Sequence, residues 1–258
     1  MRIPALLVSC LIAAALAAPA LAPYPPDRLE LDARRAAPSA AHWFGTDDLG
    51  RDVLSRVLYG ARVSLAVGLL SAAVAGASGI AIGGVAGYAG GALDAVLMRG
   101  TDAMLAVPRL PLLMIAASVL QPSVALLVML IGLAGWMETA RVVRAEFLAL
   151  VGRGFVEGAR AAGAGHARII GTHLLPNAAH AVIVSLTLAV ARGILLESAL
   201  SFFGVGVQPP RASWGNMLYQ AQATLGTQPW LAFAPGLFIL LTALSVNVAG
   251  DRLASRRT

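Results

Sequence analysis

The chain has 258 residues, of which 58% are hydrophobic and 12% are charged, about half the charged fraction of a soluble domain. The formal net charge is +6, and all nineteen basic residues are arginine, which excludes a P-loop nucleotide site here because its Gly-Lys-Ser/Thr sequence requires lysine. The composition therefore indicates an integral membrane protein rather than a soluble enzyme or ATPase, and its arginines are better explained as topology signals than as nucleic-acid contacts.

The first apolar run covers residues 3–22, and we predict one transmembrane helix over residues 1–22. A basic start followed by Ala18-Pro19-Ala20 also resembles a signal peptide, and the residues before Cys10 resemble a lipoprotein cleavage box. The apolar stretch before Cys10 is short for a lipoprotein, and the later spans favour an uncleaved helix. Whether residues 1–22 are removed stays open from the sequence.

Residues 23–62 are polar and contain six arginines and six acidic residues. A balance of zero is typical of a loop outside the cytoplasm, so we predict a periplasmic or extracellular segment. Its end carries apolar residues at positions 49, 53, 54, 57 and 58. This helical spacing predicts an amphipathic helix that lies at the outer surface.

Residues 63–258 are predicted to form a core domain with five further transmembrane helices, at residues 63–88, 102–120, 123–136, 178–203 and 230–249. The fourth helix is expected to continue toward Arg144, after a tight outer turn at Gln121-Pro122. The predicted fold is thus an all-α, polytopic membrane helical bundle of about six transmembrane helices.

Gly79, Gly83 and Gly87 recur every fourth residue on the second predicted span. Small residues at this spacing place glycine on one face of a helix and let a neighbouring helix approach closely. We therefore predict a close helix contact along this face rather than a catalytic role.

Arginine also indicates the orientation of the bundle. Residues 138–173 contain five arginines and three glutamates, and residues 251–258 contain three arginines and one aspartate. Because positively charged loops stay in the cytoplasm, both termini and the loop 138–177 are predicted to be cytoplasmic.

Three charged residues fall within or beside predicted spans, where charge is costly and often functional. Arg109 is expected to snorkel to the cytoplasmic interface. Arg192 and Glu197 both lie in the fifth span, and five residues of helix separate their directions by about 140°, so we do not expect a direct pair. Either residue could line a pathway or anchor the helix to a neighbour, and the sequence does not decide between these roles.

We predict no catalytic site. The histidines at positions 166, 173 and 180 recur every seven residues, but no cysteine or carboxylate pattern accompanies them. A metal site is therefore not expected.

The loop 138–177 carries the most informative pattern of the chain. Residues 153–162 are predicted to form a short helix, Gly163 a sharp turn, and residues 166–173 a second short helix, before Pro176 begins the fifth span at a first-turn position. Phe155 and Ala159 are expected on one side of the first helix. Such an element would transmit a push from a partner into the bundle.

The sequence Glu157-Gly158-Ala159-x3-Gly163-x9-His173-x-Leu175-Pro176 resembles the EAA signature of the permease subunits of ATP-binding-cassette (ABC) importers. Gly158 departs from it, since the family has alanine there. Two further stretches, residues 42–65 and 197–217, resemble the second (C-type) permease of the dipeptide, oligopeptide and nickel importers. The resemblance covers the chain from about residue 20 onward.

The resemblance implies a type I importer (MetI-like) fold in a bacterial cytoplasmic (inner) membrane. It further implies a heterodimer with a second permease subunit, two ATP-binding subunits that hold ATP and Mg, and an extracytoplasmic substrate-binding protein, with no cofactor in this chain. The residues expected to contact the ATPase are Glu157, Gly158, Ala159, Gly163, Arg168, His173, Leu175 and Pro176. Peptides are the expected substrate, with nickel or another small solute as the alternative. A self-contained secondary transporter would favour an inverted repeat, which the sequence does not show.

Overall fold

The computed structural model describes residues 2–120 and 123–255, with the side chains from residue 6 onward in these ranges. The described residues form helices and no β-strand, apart from one isolated bridge between Thr46 and Asp52. The helices are α1 (Arg2–Leu16), α2 (Ala18–Leu21), α3 (Val53–Ala89), α4 (Gly91–Leu105), α5 (Arg109–Val119), α6 (Val124–Leu133), α7 (Trp136–Val151), α8 (Gly154–Ala161), α9 (His166–Arg168), α10 (Leu175–Phe202), α11 (Trp214–Ala221) and α12 (Trp230–Ala254).

Three helical stretches of the described chain are long and apolar enough to cross a membrane: α3, residues 166–202, and α12. Two bent pairs, α4 with α5 and α6 with α7, bring the number to five if each pair is one span. The first predicted span is shorter than expected, because α1 has 15 residues and reaches only about 22 Å. The predicted single helix over residues 1–22 is instead broken between α1 and α2.

The prediction of a separate amphipathic helix at the end of the outer segment is wrong. Asp52 caps the N-terminus of α3, and its side chain accepts a 2.7 Å hydrogen bond from the backbone N–H of Ser55. Residues 53–58 are therefore the first turns of the 37-residue α3. Val53 and Val57 are buried in an apolar cluster with α11 and α12, so their helical spacing reflects packing inside the bundle.

The third predicted span is also corrected. Its residues are divided between α4 and α5, whose axes differ by 80°. Pro108 is the N-cap of α5, and a proline disfavours helical backbone in the residue before it, so the chain leaves the helix there. The fourth span does continue past Arg144 as predicted, to Val151, with a 42° bend between α6 and α7. The predicted turn at Gln121-Pro122 lies outside the described residues.

The predicted glycine contact is confirmed between α3 and α7. Gly79 lies against Trp136 and Thr139, and Gly83 lies so close to α7 that an added Cβ would be 2.2 Å from the carbonyl oxygen of Ala140. The two helices thus meet backbone to backbone, as small residues allow in membrane helices. This contact fixes α7, from which residues 152–174 extend.

Ion pairs fasten α4 to the same helix. Arg144 makes two hydrogen bonds to the carboxylate of Asp94, at 2.5 and 2.6 Å, and Arg141 contacts Asp102 at 2.5 Å. Two parallel bonds between one guanidinium and one carboxylate fix orientation as well as distance. The helix that follows α3 therefore stays close to α7 despite the sharp bend after it.

Candidate functional site

The Glu157 loop is the segment between α7 and α10, residues 152–174. Its first helix, α8, forms close to where it was predicted, over Gly154–Ala161. The helix is held by Val156, which is fully buried in a cluster with Phe147 of α7, Ile169 and Leu174. Phe155, which was predicted to lie on one side of this helix with Ala159, is 44% exposed. The buried apolar contact is made by the next residue, Val156.

Gly163 ends α8 in the sharp turn that the sequence predicted. Its φ is +80°, a conformation that side chains disfavour. The N–H of Gly163 bonds the carbonyl of Arg160 at 2.9 Å, and the N–H of Ala164 bonds that of Ala159 at 3.0 Å. These two bonds are the Schellman arrangement, which satisfies the last carbonyls of a helix. The turn thus depends on glycine for its shape.

The second half of the loop differs from the prediction. Residues 166–173 do not form a separate short helix, because α9, a π-helical turn at Ile169–Leu174 and α10 run on as one 37-residue helix, His166–Phe202. Pro176 lies in the first turn of α10, as predicted, although the continuous helical run begins ten residues earlier, at His166. A π turn is rare and occurs mostly as a single-turn bulge inside an α-helix, and here it ends two residues before Pro176, which cannot donate a backbone hydrogen bond. The loop is therefore a direct extension of a membrane helix.

The predicted site residues lie along one exposed element. Exposed are Glu157, Gly158, Gly163, Arg168 and Pro176, while Ala159, His173 and Leu175 are half-buried. Glu157 occupies the first turn of α8, and it forms no ion pair with another described residue. His173 contacts the ring of Phe155, with 6.3 Å between ring centroids. Apolar residues thus hold the loop to the bundle while its polar and small residues remain available.

Sequence reasoning missed Tyr88, at the end of α3. Its hydroxyl is 2.6 Å from Nδ1 of His166, and the guanidinium of Arg160 lies 5.7 Å from the centre of its ring. One side chain therefore contacts both sides of the Gly163 turn. The only signal in the sequence was an aromatic residue directly before a helix end, which does not by itself reveal the partner.

We expect Tyr88→Ala to loosen the Glu157 loop. Losing one hydrogen bond and one cation–π contact corresponds to about 1.5 kcal/mol, so amide exchange in residues 154–162 should become about tenfold faster. Hydrogen–deuterium exchange of the purified chain measures this. Tyr219→Ala, an exposed tyrosine on α11, is the control. Equal exchange in wild type and Tyr88→Ala would show that the loop is held by its apolar anchors alone.

Glu197 is fully buried and joins three helices. Its carboxylate accepts hydrogen bonds from Ser64 of α3 and Ser201 of α10, both at 2.8 Å. The Ser64 hydroxyl in turn accepts a 3.2 Å hydrogen bond from the backbone N–H of Trp214, the first residue of α11. Glu197 thus connects α10 to α3 directly and to α11 through Ser64.

Arg192 does not pair with Glu197, as expected from their spacing. Its Nη1 is instead 2.8 Å from Oε2 of Glu138, the acidic residue in the first turn of α7. Arg109 donates from Nη2 to Oε1 of the same glutamate at 3.1 Å. Arg109 is therefore part of an internal charge cluster rather than a snorkelling residue.

The three histidines spaced by seven residues do not converge. His166 contacts Tyr88 and His173 contacts Phe155, while a ring nitrogen of His180 is buried and has no hydrogen-bond partner among the described residues. Among the residues that the structure describes, no group of three His, Cys, Asp or Glu residues is placed to hold a metal ion.

A helical bundle with up to five membrane spans and an exposed loop between two of its helices fits a membrane transport subunit of the permease class. Residues 79–258 match the family described as "Binding-protein-dependent transport system inner membrane component". The chain belongs to this family, and it is a multi-pass membrane protein.

Similar proteins cover nearly the whole chain. A putative peptide permease protein of Brucella suis is 40% identical over 249 residues, which are 96% of this chain and 82% of that protein. The dipeptide transport system permease protein DppC of Bacillus subtilis is 40% identical over 93% of this chain and 75% of its own. The glutathione transport system permease protein GsiD of Escherichia coli is 38% identical over 96% and 82%.

Proposed function

We propose that this chain is one of two permease subunits of an ABC importer and forms half of the translocation pathway for short peptides. The observation that supports the substrate is the set of relatives whose names specify peptide, dipeptide or glutathione transport. Peptides therefore have better support than the nickel alternative.

The Glu157 loop is the proposed contact with an ATP-binding subunit. Its exposed face carries Glu157, and Gly163 and Arg168 lie nearby on the same loop. Displacement of α8 would be transmitted through Val156 to α7 and through the π turn to α10, because buried, close-packed side chains transmit strain. Two conformations of the bundle would then differ in affinity for the ATP-bound partner, which is how a ligand shifts such an equilibrium.

The remaining parts of the importer follow from this assignment. ATP and Mg would be held by two partner ATPases, a second permease would complete the pathway, and a substrate-binding protein would deliver the peptide to the α11 end of the bundle. Both termini and the Glu157 loop would lie in the cytoplasm, in agreement with the excess of arginine in residues 138–173.

We expect Gly163→Val to abolish ATP-driven uptake while the chain remains in the membrane. A β-branched residue at φ +80° is strained by about 1–2 kcal/mol, and relief of that strain would reorient α8.

Glu157→Lys should reduce uptake tenfold or more by reversing the charge of the proposed contact, an effect of roughly 1.4 kcal/mol or above. The measurement is co-purification of the ATPases from mild detergent, together with peptide uptake into vesicles.

Gly152→Ala is the matched control, because Gly152 has a negative φ of −93° and an added Cβ would have no neighbour within 4 Å. It should retain both the ATPases and the uptake. Wild-type chain recovered without any ATPase, in conditions where such complexes survive, would contradict the importer assignment. Normal uptake by Gly163→Val at normal abundance would contradict the coupling role alone.

A further inference from the structure

The cluster of Arg109, Glu138 and Arg192 has one carboxylate for two guanidinium groups. One nitrogen of each arginine contacts Glu138, and the other guanidinium nitrogens form no hydrogen bond or ion pair with another described residue. A guanidinium group has five N–H donors in a fixed fork. The cluster therefore has a net charge of +1 and unused donors.

The cluster lies beside the middle of α3, far from both ends of that helix. A small cavity beside it is lined by all three charged residues and by Ser71 and Gly193, and Ser71 is the middle residue of α3, Val53–Ala89. Side chains of Arg192 and Glu138 are nevertheless 38% and 33% exposed in the single chain. Charge at this depth does not face lipid without a large cost, so the exposed side faces either the second permease or an aqueous pathway.

A groove of about 580 Å³ adjoins the cluster between the α4–α5 and α6–α7 pairs. Arg109 and Glu138 are its charged lining residues, and the rest is mainly apolar, including Met104, Leu112 and Leu133. A space with apolar walls and a positive group at one side is complementary to a solute that has apolar side chains and a carboxylate. A peptide with apolar side chains and a free C-terminus has this character.

On the basis of the proposed function, we infer that the cluster receives the carboxylate of a passing peptide in the translocation pathway, with Arg109 at the groove and Arg192 supplying the positive charge that Glu138 does not neutralise. An arginine fork binds a carboxylate through parallel charge-assisted hydrogen bonds. Glu138 neutralises one of the two positive charges and orients both arginines, so the carboxylate is attracted but also released. Transport requires such moderate affinity, because a tightly held solute does not leave.

The test measures uptake of one peptide in two forms, the free acid and the C-terminal amide, into vesicles that contain the complete importer. The binding protein is supplied saturated with either form, and its affinity for each form is measured separately. We expect Arg192→Gln to slow uptake of the free acid about tenfold, equal to roughly 1.4 kcal/mol, and to change uptake of the amide less than twofold. Arg192→Lys, which keeps the charge but not the fork, should lie between wild type and Arg192→Gln.

Arg141→Gln is the matched control, since Arg141 is a half-exposed arginine of α7 that pairs with Asp102 and lines neither the small cavity nor the groove. It should slow uptake of the acid and of the amide by the same factor, or leave both rates unchanged. Equal loss of acid and amide uptake in Arg192→Gln would overturn the inference and leave a structural ion pair. Loss of the second permease on purification would overturn it in favour of a subunit contact. Wild type that transports neither form would contradict the proposed function itself, and the inference with it.

Discussion

Gly83→Ala should destabilise the bundle by about 3 kcal/mol, as expected for severe overpacking. The added Cβ would lie 2.2 Å from the carbonyl oxygen of Ala140 and 2.8 Å from its Cα. These are backbone atoms of α7, so no side chain can rotate away. The two helices would have to separate, and the buried contacts of α7 with α3 would be lost. The measurement is the unfolding midpoint of the purified chain in detergent.

Gly100→Ala provides the matched control for this substitution. Gly100 lies within α4, is exposed, and has no neighbour within 4 Å of an added Cβ. Alanine there should stabilise the helix by up to about 1 kcal/mol, because it has the higher helix propensity. Equal effects of the two substitutions would show that helix propensity, and not the α3–α7 contact, determines the result.

Glu197→Ala should lower the free energy of unfolding by about 3 kcal/mol. The substitution removes the acceptor of the Ser64 and Ser201 hydroxyls, and a buried donor left without a partner costs about 1–3 kcal/mol. Because Ser64 also accepts the N–H of Trp214, α11 should detach first. Exchange of the α11 amides and the thermal unfolding of the chain measure the two effects.

Glu197→Gln keeps one acceptor oxygen and should recover much of the lost stability. Thr187→Ala is the control on the same helix, since the Thr187 hydroxyl bonds only back to the carbonyl of Ile183 at 2.8 Å, and its loss should change stability by less than about 0.5 kcal/mol. If Glu197→Ala unfolds like wild type but transports poorly, Glu197 contributes to the pathway rather than to the anchor.

Local sequence signals predicted those features that depend on nearby residues. The Gly163 turn follows from glycine at a position that requires a positive φ, and the close α3–α7 contact follows from Gly79, Gly83 and Gly87 on one helix face. The long helices α10 and α12 follow from the length of their apolar runs. In each case the responsible residues are neighbours in the chain or recur with the period of a helix.

The errors have a common physical cause. The apolar residues at the start of α3 show the same spacing whether they face a membrane surface or the α11–α12 cluster, and only the packed structure distinguishes the two. The same is true of Val156 and Phe155, adjacent apolar residues of which one is buried. Periodicity reports that a face is apolar, but it does not report what covers that face.

The sequence by itself determined that this is a lysine-free, polytopic helical membrane protein with an EAA-like loop, because composition, apolar length and motif spacing are local properties. The tertiary structure alone decided that the loop continues α10 as one helix, that Tyr88 holds both sides of its turn, and that Arg109 and Arg192 share Glu138. These partners are between 29 and 78 residues apart in the chain. Contacts over such separations arise only when the helices pack, and no local pattern encodes them.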